Sequence, residues 1–250
     1  MSPLLRSRRS VGRLDDLEVQ AVWQVTSLLL DYPDAGQRLD VVEEVLPALP
    51  PTVAEPLGRF VSHRRATTLA ELQADYVDTF DTRRRCALYL TYFLHGDTRK
   101  RGMALLRFKQ AYRAAGLDLD DGRELPDHLC VLLEFGATAD LASARRLLLD
   151  HRAGLEVLRL SLEGLRSPYA DLVQAVCTTL PPIDGEGLEA VRRLAEQGPP
   201  EEEVGMTPYG TPGFDAALSD PTYRRPAGPV DLGLPTYRPA AEPTASGRGA

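Results

Sequence analysis

The sequence predicts an all-α fold: a single helical-bundle domain of about eight to ten helices with a disordered C-terminal tail. Three observations carry that expectation. Between residues 15 and 197 apolar side chains recur at helical spacing, and no convincing alternating strand pattern appears. Several of these segments are apolar on two sides, as helices buried among other helices are. Ten of the 20 prolines fall in residues 198–250, where no sustained apolar periodicity exists. The 250 residues therefore divide into an N-terminal arm (1–14), an all-helical domain (15–197) and a Pro/Gly-rich tail (198–250). The arm and tail bury too little apolar surface to offset their ordering entropy.

The arm contains Arg8-Arg9, which could be mistaken for a twin-arginine signal. Asp15, Asp16 and Glu18 fall where such a signal needs an uncharged apolar segment, so a disordered arm on a soluble protein is expected. Residues 19–30 are apolar around most of the helical wheel, with Gln20, Gln24 and Ser27 as a narrow polar stripe. Thr68 and Glu71 form the sequence signature of a capping box and mark a helix start. Asp97 is the expected N-cap of the next long helix, which places Ala104, Leu105, Phe108, Ala111, Tyr112 and Ala115 on one face. Gly116 supplies its stop. One helix is expected over about 143–165, with His151 on its apolar stripe as a core or pocket-wall histidine. Two shorter helices follow, from Pro168 and from Gly185, and the Pro-Pro pairs at 50–51, 181–182 and 199–200 punctuate helix ends. In the tail, Tyr209, Tyr223 and Tyr237 recur every 14 residues, either as a repeated docking motif or as low-complexity drift.

The composition excludes several function classes. A net charge of -7 opposes nucleic-acid binding, although "TRRRC" and "DTRKRG" are short basic clusters. No apolar run approaches the roughly 18–20 residues that span a bilayer. Cys86, Cys130 and Cys177 are far apart and odd in number, which argues against a disulfide framework and for a reducing compartment. His63, His95, His128 and His151 show no i, i+4 pairing, so no metal site is expected. No G-x-S-x-G, Walker A or G-x-G-x-x-G motif appears. Cys86 follows three arginines that could lower its pKa, but no base accompanies it.

Two features remain. "RELPDHLCVLLEFGA" sets Asp127 and His128 directly after Pro126, ahead of an apolar run. The pair reads as N-terminal capping, as polar recognition of a peptide, or as an acid/base pair of a small helical enzyme. Adjacent helical residues point about 100° apart, so they do not automatically form a dyad. Upstream, Tyr76, Phe80, Tyr89, Tyr92 and Phe93 concentrate aromatic side chains in one region. They read as core, or as an apolar groove with an acidic and arginine rim able to take an amphipathic peptide. In that second reading Leu129, Leu132, Leu133 and Phe135 divide between groove floor and core.

The strings "YVDTFD" (76–81), "LYLTYFLHGDTRKRGMALLRFKQAY" (88–112) and "ELPDHLCVLLEFGA" (124–137), in this order and spacing, resemble the NarJ branch of the NarJ/TorD/DmsD redox-enzyme maturation chaperones. The likeness is strongest over about 76–137, is compatible with about 17–197, and does not extend past about 205. It implies a TorD-like helical, non-enzymatic cytoplasmic chaperone without a cofactor or metal of its own. For the NarJ branch it implies a partner: the apo catalytic subunit of the membrane-bound respiratory nitrate reductase, bound by its N-terminal leader. It further implies assistance to molybdenum cofactor insertion, delayed membrane docking, and contact with cofactor-delivery proteins. The leader-binding residues it implies include Tyr76, Phe80, Leu88, Asp127 and His128; Thr79 departs from the Leu-Phe pair of relatives. With Tyr92, Glu124 and Pro126 these make up the expected peptide site. A client among other molybdoenzymes is the nearest alternative.

Overall fold

A computed structural model describes residues 14–118 and 124–198, and the expected arm (but for Leu14) and tail (but for Gly198), with Tyr209, Tyr223 and Tyr237, lie outside those residues. The described residues form eleven α-helices, with one isolated antiparallel bridge, Tyr89 to His128, as their sole extended pairing. None of these helices is long and apolar enough to cross a membrane.

At the centre α1 (Asp16–Leu30) packs most extensively on α7 (Leu129–Thr138) and also on α10 (Tyr169–Thr178). Around them lie α3 (Pro51–Ala66) against α10, α8 (Leu141–Asp150) against α7, and α9 (Arg152–Gly164) against α10 and α11 (Gly185–Gln197). The short α2 (Leu39–Val45) precedes α3; α4 (Leu69–Tyr76), α5 (Leu90–His95) and α6 (Arg99–Ala114) follow it.

The start of α1 is fixed by a capping box between Asp15 and Glu18, and that of α4 by the expected one between Thr68 and Glu71. Gly116, at φ 77°, ends α6: Leu117 N–H donates to the Tyr112 carbonyl at 2.9 Å and Gly116 N–H to Arg113 at 3.0 Å. This double bond pattern satisfies carbonyls that the helix end would otherwise orphan. The expected Asp97 cap does not form. Thr98 stands at the N-cap of α6 without a side-chain bond, and Asp97 pairs with Arg101 at 2.8 Å. The helix expected over 143–165 is two helices, α8 and α9, broken at His151, whose backbone (φ -111°, ψ 17°) leaves the helical region.

The α1–α7 contact is set by Trp23, which is fully buried and donates from Nε1 to Thr179 Oγ1 at 2.9 Å. Its ring packs against Gly136, where an added Cβ would stand 2.4 Å from Trp23 Cζ3 and 2.8 Å from Ala144 Cβ. Neither neighbour is a flexible side chain, so Gly136→Ala overpacks the centre of the bundle. The expected cost is about 2 kcal/mol, read as a lowered urea midpoint with unchanged slope. An unchanged midpoint would mean that α1 and α7 separate freely.

Candidate functional site

The aromatic side chains of α4 and its extension gather near the C-terminal end of α1. After Tyr76 the helix widens into a π-turn, Val77–Asp81, that carries Phe80. Such a turn inserts an extra residue per turn and re-aims the side chains beyond it. Here it brings Phe80 to 4.7 Å from Tyr76 and 4.9 Å from Tyr169, measured between ring centroids. Tyr32, just beyond α1, meets Tyr76 edge-on at 5.4 Å. These centroid separations and tilts are those that aromatic quadrupoles prefer.

The second wall comes from two chain segments paired at Tyr89 and His128, far apart in sequence. Leu129 N–H donates to the Leu88 carbonyl at 2.8 Å, and Leu90 N–H to the Asp127 carbonyl at 3.1 Å. Between these bonds Tyr89 and His128 face each other, ring centroids 5.2 Å apart. Tyr89 Oη donates to Glu124 Oε1 at 2.8 Å, and its hydroxyl pKa is pushed up to about 12 by burial and by that carboxylate.

Together these elements bound a cavity of about 230 Å³ lined by Asp31, Tyr32, Tyr76, Phe80, Asp81, Leu88, Tyr89, Glu124 and His128. Its lining joins four aromatic rings and Leu88 to His128. Its rim carries three exposed carboxylates, Asp31, Asp81 and Glu124, none ion-paired with a base among the described residues. No lysine or arginine lines it. The cavity thus sets a negative field around a partly aromatic lining, too small for a whole helix and sized for one or two side chains.

Of the eight expected site residues the structure brings five together here: Tyr76, Phe80, Leu88, Glu124 and His128. Tyr92, Pro126 and Asp127 lie elsewhere. Tyr92 is buried beside Phe93 and under the Arg101 guanidinium, 5.8 Å from its ring centroid. Pro126 is buried, and its carbonyl accepts from Tyr112 Oη at 2.6 Å. The floor residues expected from α7, Leu129, Leu132, Leu133 and Phe135, belong to the core and do not line the cavity. The expected arginine rim is absent from it too. Sequence reasoning missed Asp31 and Tyr32, which follow α1 outside any recognisable string, and Asp81, the last residue of "YVDTFD".

Asp127 plays a part that none of its sequence readings assigned to it. It is fully buried, and its side chain does not cap α7, whose N-cap is His128. Its Oδ2 accepts from Thr91 N–H at 3.0 Å and from Thr91 Oγ1 at 2.5 Å. Thr91 is the second residue of α5, so Asp127 caps the neighbouring helix rather than its own. Arg101 completes the cluster: Nε donates to Thr91 Oγ1 at 3.2 Å, and Nη2 stands 3.7 Å from Asp127 Oδ2. Its guanidinium stacks on Tyr89, 5.3 Å from the ring centroid, so the cluster also braces the wall of the cavity. Asp127 and His128 share no hydrogen bond: Asp127 Oδ1 and His128 Nδ1 are both buried without a partner. An acid/base dyad is not assembled.

A family model described as "Nitrate reductase delta subunit" matches residues 46–174, a span holding Tyr76 through His128. This chain belongs to that family. Among its relatives is "Nitrate reductase-like protein NarX" of Mycobacterium tuberculosis, 45% identical over 158 residues. That alignment covers 63% of this chain and 24% of NarX, so the chain spans about a quarter of that relative's length. The "Probable nitrate reductase molybdenum cofactor assembly chaperone NarJ" of Bacillus subtilis is 31% identical over 167 residues, covering 64% of this chain and 89% of NarJ. The Escherichia coli NarJ chaperone is 35% identical over 153 residues, 59% of this chain and 64% of its own. The chain is therefore of the NarJ type.

In this NarJ-type chain the cysteines are not activated. Burial pushes the Cys86 thiol up, outweighing the lowering by Arg83, and it pushes Cys130 up further. No cluster of three or more His, Cys, Asp or Glu suited to a metal is found among the described residues. Three histidines share another property: burial lowers the pKa of His95, His128 and His151 below the ordinary 6.5. For His128 the carboxylates of Glu124, Asp31 and Asp127 oppose that lowering without cancelling it. Below 6.5 the unfolded chain then binds more protons than the folded one, so stability rises with pH there. Stability is expected to be flat between about pH 7 and pH 8 and to fall toward about pH 5, with a shallower fall in His151→Asn. Urea midpoints across that range check it; a midpoint that rises on acidification would contradict it.

Proposed function

We propose that this chain is an assembly chaperone for a molybdenum-containing nitrate reductase, holding the N-terminal leader segment of the catalytic subunit before that subunit is complete. The observation that carries this reading is the union, in one small cavity, of aromatic rings with three carboxylates that have no base partner among the described residues. Such a cavity suits a peptide that presents a bulky apolar side chain next to a lysine or arginine. The apolar group buries against Tyr76, Phe80 and Leu88, while the cation meets Asp31, Asp81 and Glu124. His128, held neutral by burial, adds no competing positive charge.

Family membership supports the client: the NarJ relatives are chaperones of molybdenum cofactor assembly in nitrate reductase. A chaperone gripping the leader keeps the apo subunit from membrane docking until the cofactor is in place. The molybdenum cofactor is then the client's cargo, and this chain performs no chemistry on it. The cytoplasm, where such a client is made, is the compartment this reading requires.

The test is a calorimetric titration of the full chain with a synthetic peptide from the N-terminus of the partner nitrate reductase catalytic subunit. Saturable binding is expected, weakening as salt rises because the exposed carboxylates are screened. A folded protein giving no heat at high micromolar peptide would overturn the proposal.

A further inference from the structure

The aromatic cavity lies at the C-terminal end of α1, where Asp31 and Tyr32 line it. The outer face of α1 leads toward it. Leu17, Ala21, Gln24 and Leu28 recur at i, i+4, i+7 and i+11, one stripe along the helix. The other leucines of α1 are buried, yet Leu17 is 77% and Leu28 45% exposed, and Tyr32 beyond them is 45% exposed. Ala21 and Gln24 between the two leucines are half-buried. A largely apolar track, left open by the described residues, thus runs from the start of α1 to the rim of the cavity.

The segment joined to the start of that track has the chemistry the cavity selects. Leu14, the first described residue, is half-buried against the core, so the chain before it departs from this end of α1. Residues 1–13 read "MSPLLRSRRSVGR": Leu4 and Leu5 stand next to Arg6, Arg8, Arg9 and Arg13 follow, and no acidic residue is among them. In a chain of net charge -7 this is a local concentration of the sign opposite to Asp31, Asp81 and Glu124. It is also the pattern inferred for the client, a bulky apolar side chain beside a cation.

Reach allows the contact within one chain. The 15 residues of α1 span about 22 Å, at about 1.5 Å per residue. Leu5 stands nine residues before Leu14, and nine extended residues cover about 30 Å. Laid along the exposed stripe, the arm therefore brings Leu5 to Tyr76, Phe80 and Leu88, and Arg6 to the carboxylates of the rim.

We propose that residues 4–9 of this chain occupy its own aromatic cavity when no client is present, so that a leader binds by displacing them. The inference rests on the leader-binding reading of that cavity and adds a built-in competitor to it. A segment tethered this closely acts at about millimolar effective concentration, so an intrinsic contact of about 300 μM lowers the affinity for leader roughly fourfold. The consequence is selectivity, because peptides that bind no better than the arm are refused.

Zero-length carbodiimide coupling tests this without any leader. Arg6→Lys in the full chain places a side-chain amine in the arm, where the sole other lysines of the sequence are Lys100 and Lys109. The introduced amine is expected to couple to Asp31, Asp81 or Glu124 within one chain, as read by mass spectrometry of proteolytic fragments from the monomer band. Separately, Leu4→Ser, Leu5→Ser and Arg6→Ser combined are expected to bind leader peptide roughly fourfold more tightly than the parent. All these positions precede α1, and circular dichroism verifies that the helical signal is unchanged. Three results would each overturn the proposal: coupling confined to other carboxylates, coupling confined to pairs of chains, or equal leader affinity in parent and variant. Equal and measurable affinity removes the arm alone and leaves the leader-binding reading standing. A leader that binds neither protein strikes that reading, and the inference with it.

Discussion

Asp127→Ala is expected to lower the stability of the helical domain by about 3 kcal/mol, the usual scale for breaking one partner out of a buried ionic cluster. The carboxylate is fully buried and is the acceptor for both the N–H and the hydroxyl of Thr91. Its removal orphans the second N–H of α5 and leaves the mostly buried Arg101 guanidinium without its nearest interior anion. His128→Ala removes ring packing against Tyr89 and no satisfied side-chain bond, so its cost is expected to be about 1 kcal/mol. The two adjacent residues thus have separate roles. Asp127 holds α5 and α6 onto α7, and His128 faces the cavity. Urea denaturation followed by helical signal checks this. A smaller loss for Asp127→Ala than for His128→Ala would contradict the assignment. If both residues merely lined a peptide site, replacing them would spare stability and weaken only peptide binding; the full burial of Asp127 predicts a loss of stability as well.

Neutralising the cavity rim should have the largest effect on binding. In Asp31→Asn, Asp81→Asn, Glu124→Gln combined, the leader peptide is expected to bind roughly a hundredfold more weakly, about 2.7 kcal/mol. That figure allows for partial solvent screening of the charge-assisted contacts, since all three carboxylates are exposed. Exposure also protects the fold, because none of the three makes an ion pair among the described residues that the change would break. Calorimetry at two salt concentrations separates the terms. The variant should lose most of the salt dependence of the parent and keep the apolar contribution of Tyr76, Phe80 and Leu88. Equal affinity for parent and variant would place the peptide somewhere else.

Much of the architecture was legible because it is local. Thr68 with Glu71 announces α4, and Gly116 announces the end of α6, since each signal acts within one helical turn. The break at His151 was not legible: Leu147, Leu148, Leu155 and Leu158 keep helical spacing straight across it, so periodicity sees one helix. The role of Asp127 was hidden for another reason. Its partner Thr91 lies 36 residues upstream, and a proline-aspartate step reads equally well as a cap for the helix that follows. Five cavity residues were legible from aromatic clustering and family resemblance. Asp31 and Tyr32 were not, because only the packing of α1 against the rest of the bundle delivers them there.

If the leader peptide sits in the aromatic, carboxylate-rimmed cavity, it must shield the chain segments that build that cavity. Hydrogen–deuterium exchange of the full chain with and without saturating peptide tests this most directly. New protection is expected in the segments around Asp31–Tyr32, Tyr76–Tyr89 and Glu124–His128, the ones that line that cavity. Protection confined to the segments around Leu94–Arg107 and Asp150–His151, with none around Tyr76–Tyr89, would contradict it.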